Sequence, residues 1–237
     1  MMGVKNVEWI LKYAFVTTAA VALASCGSEA APQGDVGTSG GELNDVGGVE
    51  LNDVGGVELN DVGEDVVCGD PDVWLRQHQL EQLEGCDVYR GSITFADYPG
   101  EDLSAVPPLR VIEGTFNLFR NPNLKSAQGL ETLEQVGNLS IHLTDVFDDL
   151  SALGNLRRID GEFMVSGNQG LTHFAGLESL RFAGSLRIEG NMNLASLSGL
   201  EGLQEVADEI AISNNPMLSE EEIREFRERL EAAEASE

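Results

Sequence analysis

Residues 153–171 read LGNLRRIDGEFMVSGNQGL, and the apolar pattern of this stretch returns every 23 or 24 residues between Leu103 and Leu218. The second leucine of this stretch is Leu156. Its equivalents in the other units are Leu109, Leu133, Leu180 and Leu203. A repeat of this length is typical of a solenoid, because one such unit cannot bury its apolar face alone. We therefore expect successive units to stack as coils around one shared core.

Each unit contains an alternating pair of apolar residues, such as Phe163 and Val165, which predicts a strand with one buried face. Equivalent strands of successive coils should form parallel ladders about 4.8 Å apart. Most strands are followed by Asn-x-x-Leu, whose asparagines are Asn121, Asn168, Asn191 and Asn215. Thr144 takes that place in one coil. These asparagines could form a polar binding row, but corners of a stack favour a structural role in which each amide satisfies backbone groups.

The first part of the chain, residues 1–25, predicts an export signal, because residues 13–24 are apolar and alanine-rich after flanking lysines. This run is too short to span a membrane comfortably. Leu23-Ala24-Ser25-Cys26 resembles the lipobox of bacterial lipoproteins, which implies that Cys26 is acylated and becomes the mature N-terminus. In that family an Asp after the acylated cysteine favours retention in the inner membrane. Gly27 at this position resembles the lipoproteins that are sorted to the outer membrane. The alternative is an ordinary signal peptide followed by a chance cysteine.

Residues 26–67 are rich in Gly, Ala, Ser and acidic residues and contain no Lys or Arg. Within them, residues 47–54 and 55–62 both read GGVELNDV, and residues 40–46 are the same unit with one residue missing. This composition predicts a disordered acidic tether. Calcium-binding nonapeptide repeats are the alternative, but the present unit has eight residues and lacks the third glycine of that motif.

Two cysteines remain beside Cys26, and an exported pair such as Cys68 and Cys86 predicts a disulfide, with two free buried thiols as the alternative. Between these cysteines, Asp70-Pro71 predicts the start of a helix that Gly85 would end. We expect this helix to cap the N-terminal end of a solenoid spanning residues 68–218.

The last segment, residues 219–237, predicts a second capping helix. Ser219 and Glu222 have the spacing of a capping box. One apolar stripe contains Ile223, Phe226 and Leu230. Such a stripe would cover the final coil, and a helix that binds a partner is the alternative reading.

The region from residue 68 to about residue 218 resembles the receptor L domain, known from ectodomains of insulin and growth-factor receptors and from bacterial lipoproteins. The resemblance rests on the cysteine-ended first segment and on strands such as Ile112-Glu-Gly-Thr-Phe-Asn-Leu118, with Asn-Pro-x-Leu corners and Leu-x-x-Leu returns. It implies a mainly β, right-handed, leucine-rich-repeat-like β-helix of about five or six coils with a binding role. The sequence departs from this family in two ways. The segments Val136-Gly-Asn-Leu139 and Ala183-Gly-Ser-Leu186 are one residue shorter than their equivalents in other coils, and no cysteine-rich module follows.

Charge and motifs limit the function. With 41 acidic and 14 basic residues the net charge is −27, which disfavours nucleic acid as a partner. The histidines His78, His142 and His173 are scattered without metal-ligand spacing, and the sequence contains no Gly-x-Ser-x-Gly, His-Glu-x-x-His or phosphate-binding glycine loop. We therefore expect no enzymatic activity, no metal and no cofactor.

Outward positions on the predicted strands are mostly small or polar, and four larger side chains interrupt them. The candidate ligand-binding residues are Phe119, His142, Met164 and Arg187. Exposed aromatic residues and Arg are enriched at binding hot spots. The sequence favours a lipid-anchored envelope protein that binds a protein or glycan. The alternatives are a spacer lipoprotein without a specific ligand and, third, an exported enzyme.

Overall fold

The computed structural model describes residues 65–234, so the predictions for residues 1–25, for Cys26 and for the tether up to residue 64 lie outside it. Within this range the chain forms a mainly β solenoid of about six turns. All paired strands run parallel and belong to one sheet. The strands are β1 (Val67–Cys68), β2 (Trp74–Arg76), β3 (Val88–Tyr89), β4 (Ser92–Ala96), β5 (Val111–Phe119), β6 (Gln135–His142), β7 (Arg158–Ser166), β8 (Phe182–Glu189), β9 (Glu205–Val206) and β10 (Ile210–Ser213).

The core is a stack of equivalent apolar side chains, as the repeat predicts. Phe116 on β5 pairs in register with Leu139 on β6, which pairs with Phe163 on β7. Leu118 and Ile141 are neighbours in the same way two residues further on. All five side chains are at most 1% exposed, because each is covered by its own coil and by the coils on both sides.

The two segments that are one residue shorter than their equivalents in other coils, Val136–Leu139 and Ala183–Leu186, coincide with shifts in strand register. The pairing of β5 with β6 shifts between Ile112 and Thr115, where β6 has one residue fewer than β5. At this point a Cβ on Gly137 would overlap the carbonyl oxygen of Glu113, so the backbones approach too closely for any other residue. Gly184 is held in the same way against the carbonyl oxygen of Asp160.

The C-terminal end of the stack carries the predicted helix, α1 (Glu220–Glu234). Phe226 and Leu230 face the last coil and are 5% and 2% exposed. The Ser219 hydroxyl accepts a hydrogen bond from the Glu222 N–H at 3.1 Å. The Glu222 carboxylate does not return to Ser219 but accepts the Leu197 N–H at 2.6 Å. Ser219 therefore caps the helix as predicted, whereas Glu222 joins the helix to the solenoid through Leu197.

At the N-terminal end the predicted cysteine pair is present and the predicted α-helix is not. The sulfur atoms of Cys68 and Cys86 are at bonding distance, with Cα atoms 5.8 Å apart. Between them lie strand β2 and a 3-10 helix at Leu80–Leu83. The helix prediction was wrong because Leu75 joins the sheet beside Ile93, and the Asp70 carboxylate accepts the Asp72 N–H to form a turn.

Candidate binding surface

The outward face of the sheet carries two rows of side chains that pair in register across the coils. The first row contains Thr94, Asn117, Ser140, Met164, Arg187 and Ala211. The second row contains Ala96, Phe119, His142, Ser166, Glu189 and Ser213. Nearly all of them are half-buried, and only Ser213 is exposed. This placement agrees with the alternation in the sequence.

Phe119 and His142 form a tilted ring pair in the second row. Their ring centroids lie 4.7 Å apart with an angle of 36° between the planes. The Nε2–H of His142 donates to Oδ1 of Asn117 at 3.1 Å, which holds the imidazole in one orientation. Burial lowers the pKa of His142 below its ordinary value of 6.5. The ring is therefore neutral at physiological pH and presents an aromatic surface.

Met164 and Arg187 form a separate pair of register neighbours in the first row. The sequence offered Arg187 as a candidate hot-spot residue, and in the structure its guanidinium pairs with two carboxylates. Nε of Arg187 lies 3.0 Å from the Glu162 carboxylate, and Nη2 lies 3.8 Å from Glu209. The hydrogen bond to Glu162 raises the pKa of Arg187. Because its charge is balanced, Arg187 is a weak candidate for an anionic ligand.

Two further apolar residues at the corner after His142 are missing from the sequence-based site. Leu143 is 48% exposed and Val146 is 41% exposed. Leu143 has a φ of 57°, a left-handed conformation, at a place where the next two coils use Gly167 and Gly190. An aliphatic residue at a position that other coils fill with glycine or a polar residue (Asp97, Arg120, Gly167, Gly190 and Asn214) is the signal that could have identified it.

Arg120 lies at the equivalent position one coil earlier, and its guanidinium carbon is 5.7 Å from the Phe119 ring centroid. It also lies 3.6 Å from the Asp97 carboxylate, where both side chains are exposed. An exposed pair of this kind contributes little to stability. We call the group formed by Phe119, Arg120, His142, Leu143 and Val146 the His142 corner. It combines aromatic, aliphatic and cationic side chains at the end of a face that is mostly small or polar apart from Met164 and Arg187.

The corner asparagines are structural, as predicted. Asn168 and Asn191 are fully buried, and their amide groups donate to the carbonyl oxygens of Ile141 and Val165 at 2.9 and 3.0 Å. Oδ1 of Asn191 accepts the N–H of Asn168 at 3.0 Å. Each amide thus pairs with backbone groups of neighbouring coils, so these side chains do not face a ligand.

A solvent-open groove of about 480 Å³ lies at the turns after the corners, lined by Asp148, Asp149, Ser151, Gly154, His173, Ala175, Gly176 and Glu178. Polar side chains of this groove accept hydrogen bonds from backbone N–H groups of the local turns. The Glu178 carboxylate accepts the Gly176 N–H, and Nδ1 of His173 accepts the Ala175 N–H. Across residues 65–234, no three His, Cys, Asp or Glu side chains are grouped so that they could hold a metal ion.

Comparison with protein family models and with curated proteins gives no match for this chain. Among the residues that the structure describes, no helix is both long enough and apolar enough to cross a bilayer.

Proposed function

We propose that this chain is a non-catalytic, lipid-anchored protein of a bacterial cell envelope that binds an extracytoplasmic protein or glycan through its solenoid. The observation that carries the binding role is the His142 corner. There the tilted ring pair of Phe119 and His142 is followed along the chain by exposed Leu143 and Val146, at the end of a sheet face that is mostly small and polar. Exposed apolar residues, aromatic rings and an Arg at one corner of the fold are the composition of a binding hot spot.

Leu143 strengthens this argument because its backbone conformation is unfavourable. A left-handed conformation costs a non-glycine residue about 1 kcal/mol, and an exposed leucine recovers little of that by burial. The equivalent positions of the next two coils avoid the cost with glycine, whereas Asp97, Arg120 and Asn214 bear it with polar side chains. A residue that is costly for folding and exposed to solvent is best explained by contact with another molecule.

The discriminating experiment compares Leu143→Gly with Asn214→Gly in capture from solubilised envelope. Both positions lie in the same left-handed column, with φ values of 57° and 56°. We expect Leu143→Gly to keep or raise thermal stability and to lose captured partner, whereas Asn214→Gly should capture like the parent. Equal, saturable capture by both variants would remove the His142 corner from the proposal. Absence of any saturable partner would favour a spacer protein.

The anchor is proposed from the lipobox-like sequence that ends at Cys26. Replacement of Cys26 by Ser should prevent acylation and lipoprotein cleavage, and the protein should leave the membrane fraction or remain unprocessed. Acyl chains hold a protein through about 0.8 kcal/mol per buried CH₂, so loss of two chains should be visible in partitioning. Unchanged mass and partitioning of Cys26→Ser would rule out the anchor, and outer-membrane location would then lose its basis.

The receptor L domain is proposed as the family, with right-handed winding of the coils. The proposal is supported by coils of 23 or 24 residues, by their parallel strands and by buried corner asparagines. Right-handed crossovers are strongly preferred between parallel strands of one sheet. An experimental structure with left-handed coils would overturn this assignment.

A further inference from the structure

The N-terminal edge of the sheet carries exposed apolar side chains. Within residues 65–234, β1 pairs only with β3 and β2 pairs only with β4. Four large apolar side chains are exposed beside this edge, at Val66, Val67, Val73 and Trp74. Trp74 is 57% exposed, whereas the opposite end of the stack is covered by α1. A strand edge of this kind is a template for pairing with another chain.

The hydrogen bonds of β2 leave the backbone of one residue available. The Ser92 N–H donates to the Val73 carbonyl at 2.8 Å, so the N–H and carbonyl of Trp74 point away from β4. The backbone groups of Arg76 on the same side are occupied. Its N–H donates to Oε1 of Gln79 at 3.1 Å, and its carbonyl accepts the Gln79 N–H at 2.9 Å. Trp74 is therefore the residue of β2 at which a further strand can pair.

A single available residue that offers both a donor and an acceptor fits a two-fold contact between identical strands. In an antiparallel pair, two directly opposed residues can exchange both of their N–H···O bonds. When Trp74 faces Trp74 of a second copy, each residue meets the donor and the acceptor of the other. The two indole side chains then form a cross-strand aromatic pair. The same surface serves on both copies, as two-fold symmetry requires.

The charges on either side of Trp74 are complementary in the same register. Around a two-fold axis at Trp74, Asp72 of one copy lies near Arg76 of the other, and this contact occurs twice. Both side chains are exposed, and neither makes an ion pair within the described part of the chain. Opposite charges across an antiparallel pair are stabilising, whereas like charges are destabilising. Backbone pairing, aromatic contact and opposite charge thus coincide in one register.

We propose that a second copy of this chain pairs antiparallel with β2 at Trp74, so that two solenoids join end to end at their N-terminal edges. The proposal follows from the exposed edge, the available backbone of Trp74 and the charge match. It is independent of the proposed binding function, because no residue of the His142 corner takes part. Since the paired segment is short, the dimer is weak and its population depends on concentration.

Disulfide trapping tests the two-fold contact. The purified 237-residue chain with Trp74→Cys is exposed to a mild oxidant, and covalent pairs are detected by nonreducing electrophoresis and mapped by mass spectrometry. Opposed residues of a hydrogen-bonded antiparallel pair have Cα atoms about 5.5 Å apart, which a disulfide can span. We expect a bond between the two copies of residue 74. Met217→Cys is the matched control, because Met217 is 62% exposed at the corner after β10 and should form no bond with its own copy.

A charge exchange in the Trp74→Cys background tests the register. Asp72→Arg should lower the yield of the covalent pair about fivefold or more, because it opposes like charges at both contacts. Adding Arg76→Asp should restore the yield, whereas adding Arg224→Asp should not. Sedimentation of the parent should show a mass that rises with concentration. A parent that is monomeric at every concentration, an equal yield from Met217→Cys, or no recovery with Arg76→Asp would overturn the proposal.

Discussion

Asn168 accepts hydrogen bonds at Oδ1 from the N–H and the hydroxyl of Thr144, at 3.0 and 2.6 Å. Its amide group donates to the Ile141 carbonyl at 2.9 Å and to Oδ1 of Asn191 at 3.1 Å. Every one of these groups is buried. One side chain therefore satisfies polar groups that the stacking of coils removes from water.

We expect Asn168→Ala to lower the free energy of unfolding by about 3 kcal/mol or more, since each buried polar group left unpaired costs about 1–3 kcal/mol. Urea unfolding measures this loss. Asn193→Ala is the matched control, because Asn193 is exposed and makes one hydrogen bond, to the Gln169 carbonyl at 2.8 Å. Its cost should stay below about 1 kcal/mol. Similar losses for the two variants would refute the structural role of the corner asparagines.

His142 predicts a dependence of stability on pH. Burial lowers its pKa in the folded protein, so the unfolded chain binds the proton more tightly. Its contribution to stability is therefore complete above the ordinary pKa of 6.5 and is lost as the pH falls below that value. We expect the free energy of unfolding to fall more from about pH 7.5 to about pH 5 in the parent than in His142→Gln. Parallel falls in both proteins would contradict the burial of a neutral imidazole.

At the scale of elements, helix α1 is fixed to the solenoid by both apolar and polar contacts. The Arg229 guanidinium donates to the carbonyl oxygens of Leu200, Glu201 and Leu203 at distances from 2.8 to 3.0 Å. Its guanidinium carbon also lies 5.2 Å from the ring centroid of Phe226, which is buried. Arg229 therefore supplies donors to the carbonyl groups at the end of the last turn.

Replacement of Arg229 by Ala should destabilise the protein by about 1–3 kcal/mol, because three carbonyl groups lose a charged donor. Arg224→Ala is the control, since Arg224 is exposed and its ion pairs within residues 65–234 are with Glu221 and Glu228 on the helix surface. Exposed pairs of this type contribute about 0.3–0.5 kcal/mol. Thermal unfolding of both variants checks the difference, and an equal shift in Tm would show that α1 is not anchored by Arg229.

The strands and corners were predictable because their pattern repeats in the sequence. Phe163 and Val165 identify a strand, and Asn168 identifies a corner, without knowledge of neighbouring coils. The segment between Cys68 and Cys86 was not predictable in this way. Asp70-Pro71 is a good local helix start, but pairing of Leu75 with Ile93 recruits the segment into the sheet. Tertiary pairing here overrides local preference.

The candidate site was predictable only in part. Alternation placed Phe119 and His142 on the outward face, and their ring contact depends only on register. The balanced charge of Arg187 was missed because Glu162 and Glu209 lie on adjacent coils and two residues away along the strands. Leu143 was missed because it follows the strand that ends at His142 and so lies outside the alternation that identified the outward positions.

At the scale of the whole molecule, the solenoid presents one continuous parallel sheet whose interior is apolar and whose surface is strongly acidic. The net charge of −27 disfavours contact with polyanions. Against this background, the His142 corner is a local concentration of apolar and aromatic surface with one cation. A partner is therefore expected to contact this corner, not the acidic turns that surround it.

Site-specific photo-crosslinking tests this central claim most directly. A benzophenone amino acid placed at position 143 and, separately, at position 224 on the outer surface of α1 would be irradiated in the intact envelope. The account predicts a discrete adduct from position 143 that is lost when Phe119 and His142 are both changed to Ser, and no such adduct from position 224. Equal adducts from both positions, or an adduct at position 143 that persists in the double variant, would contradict it.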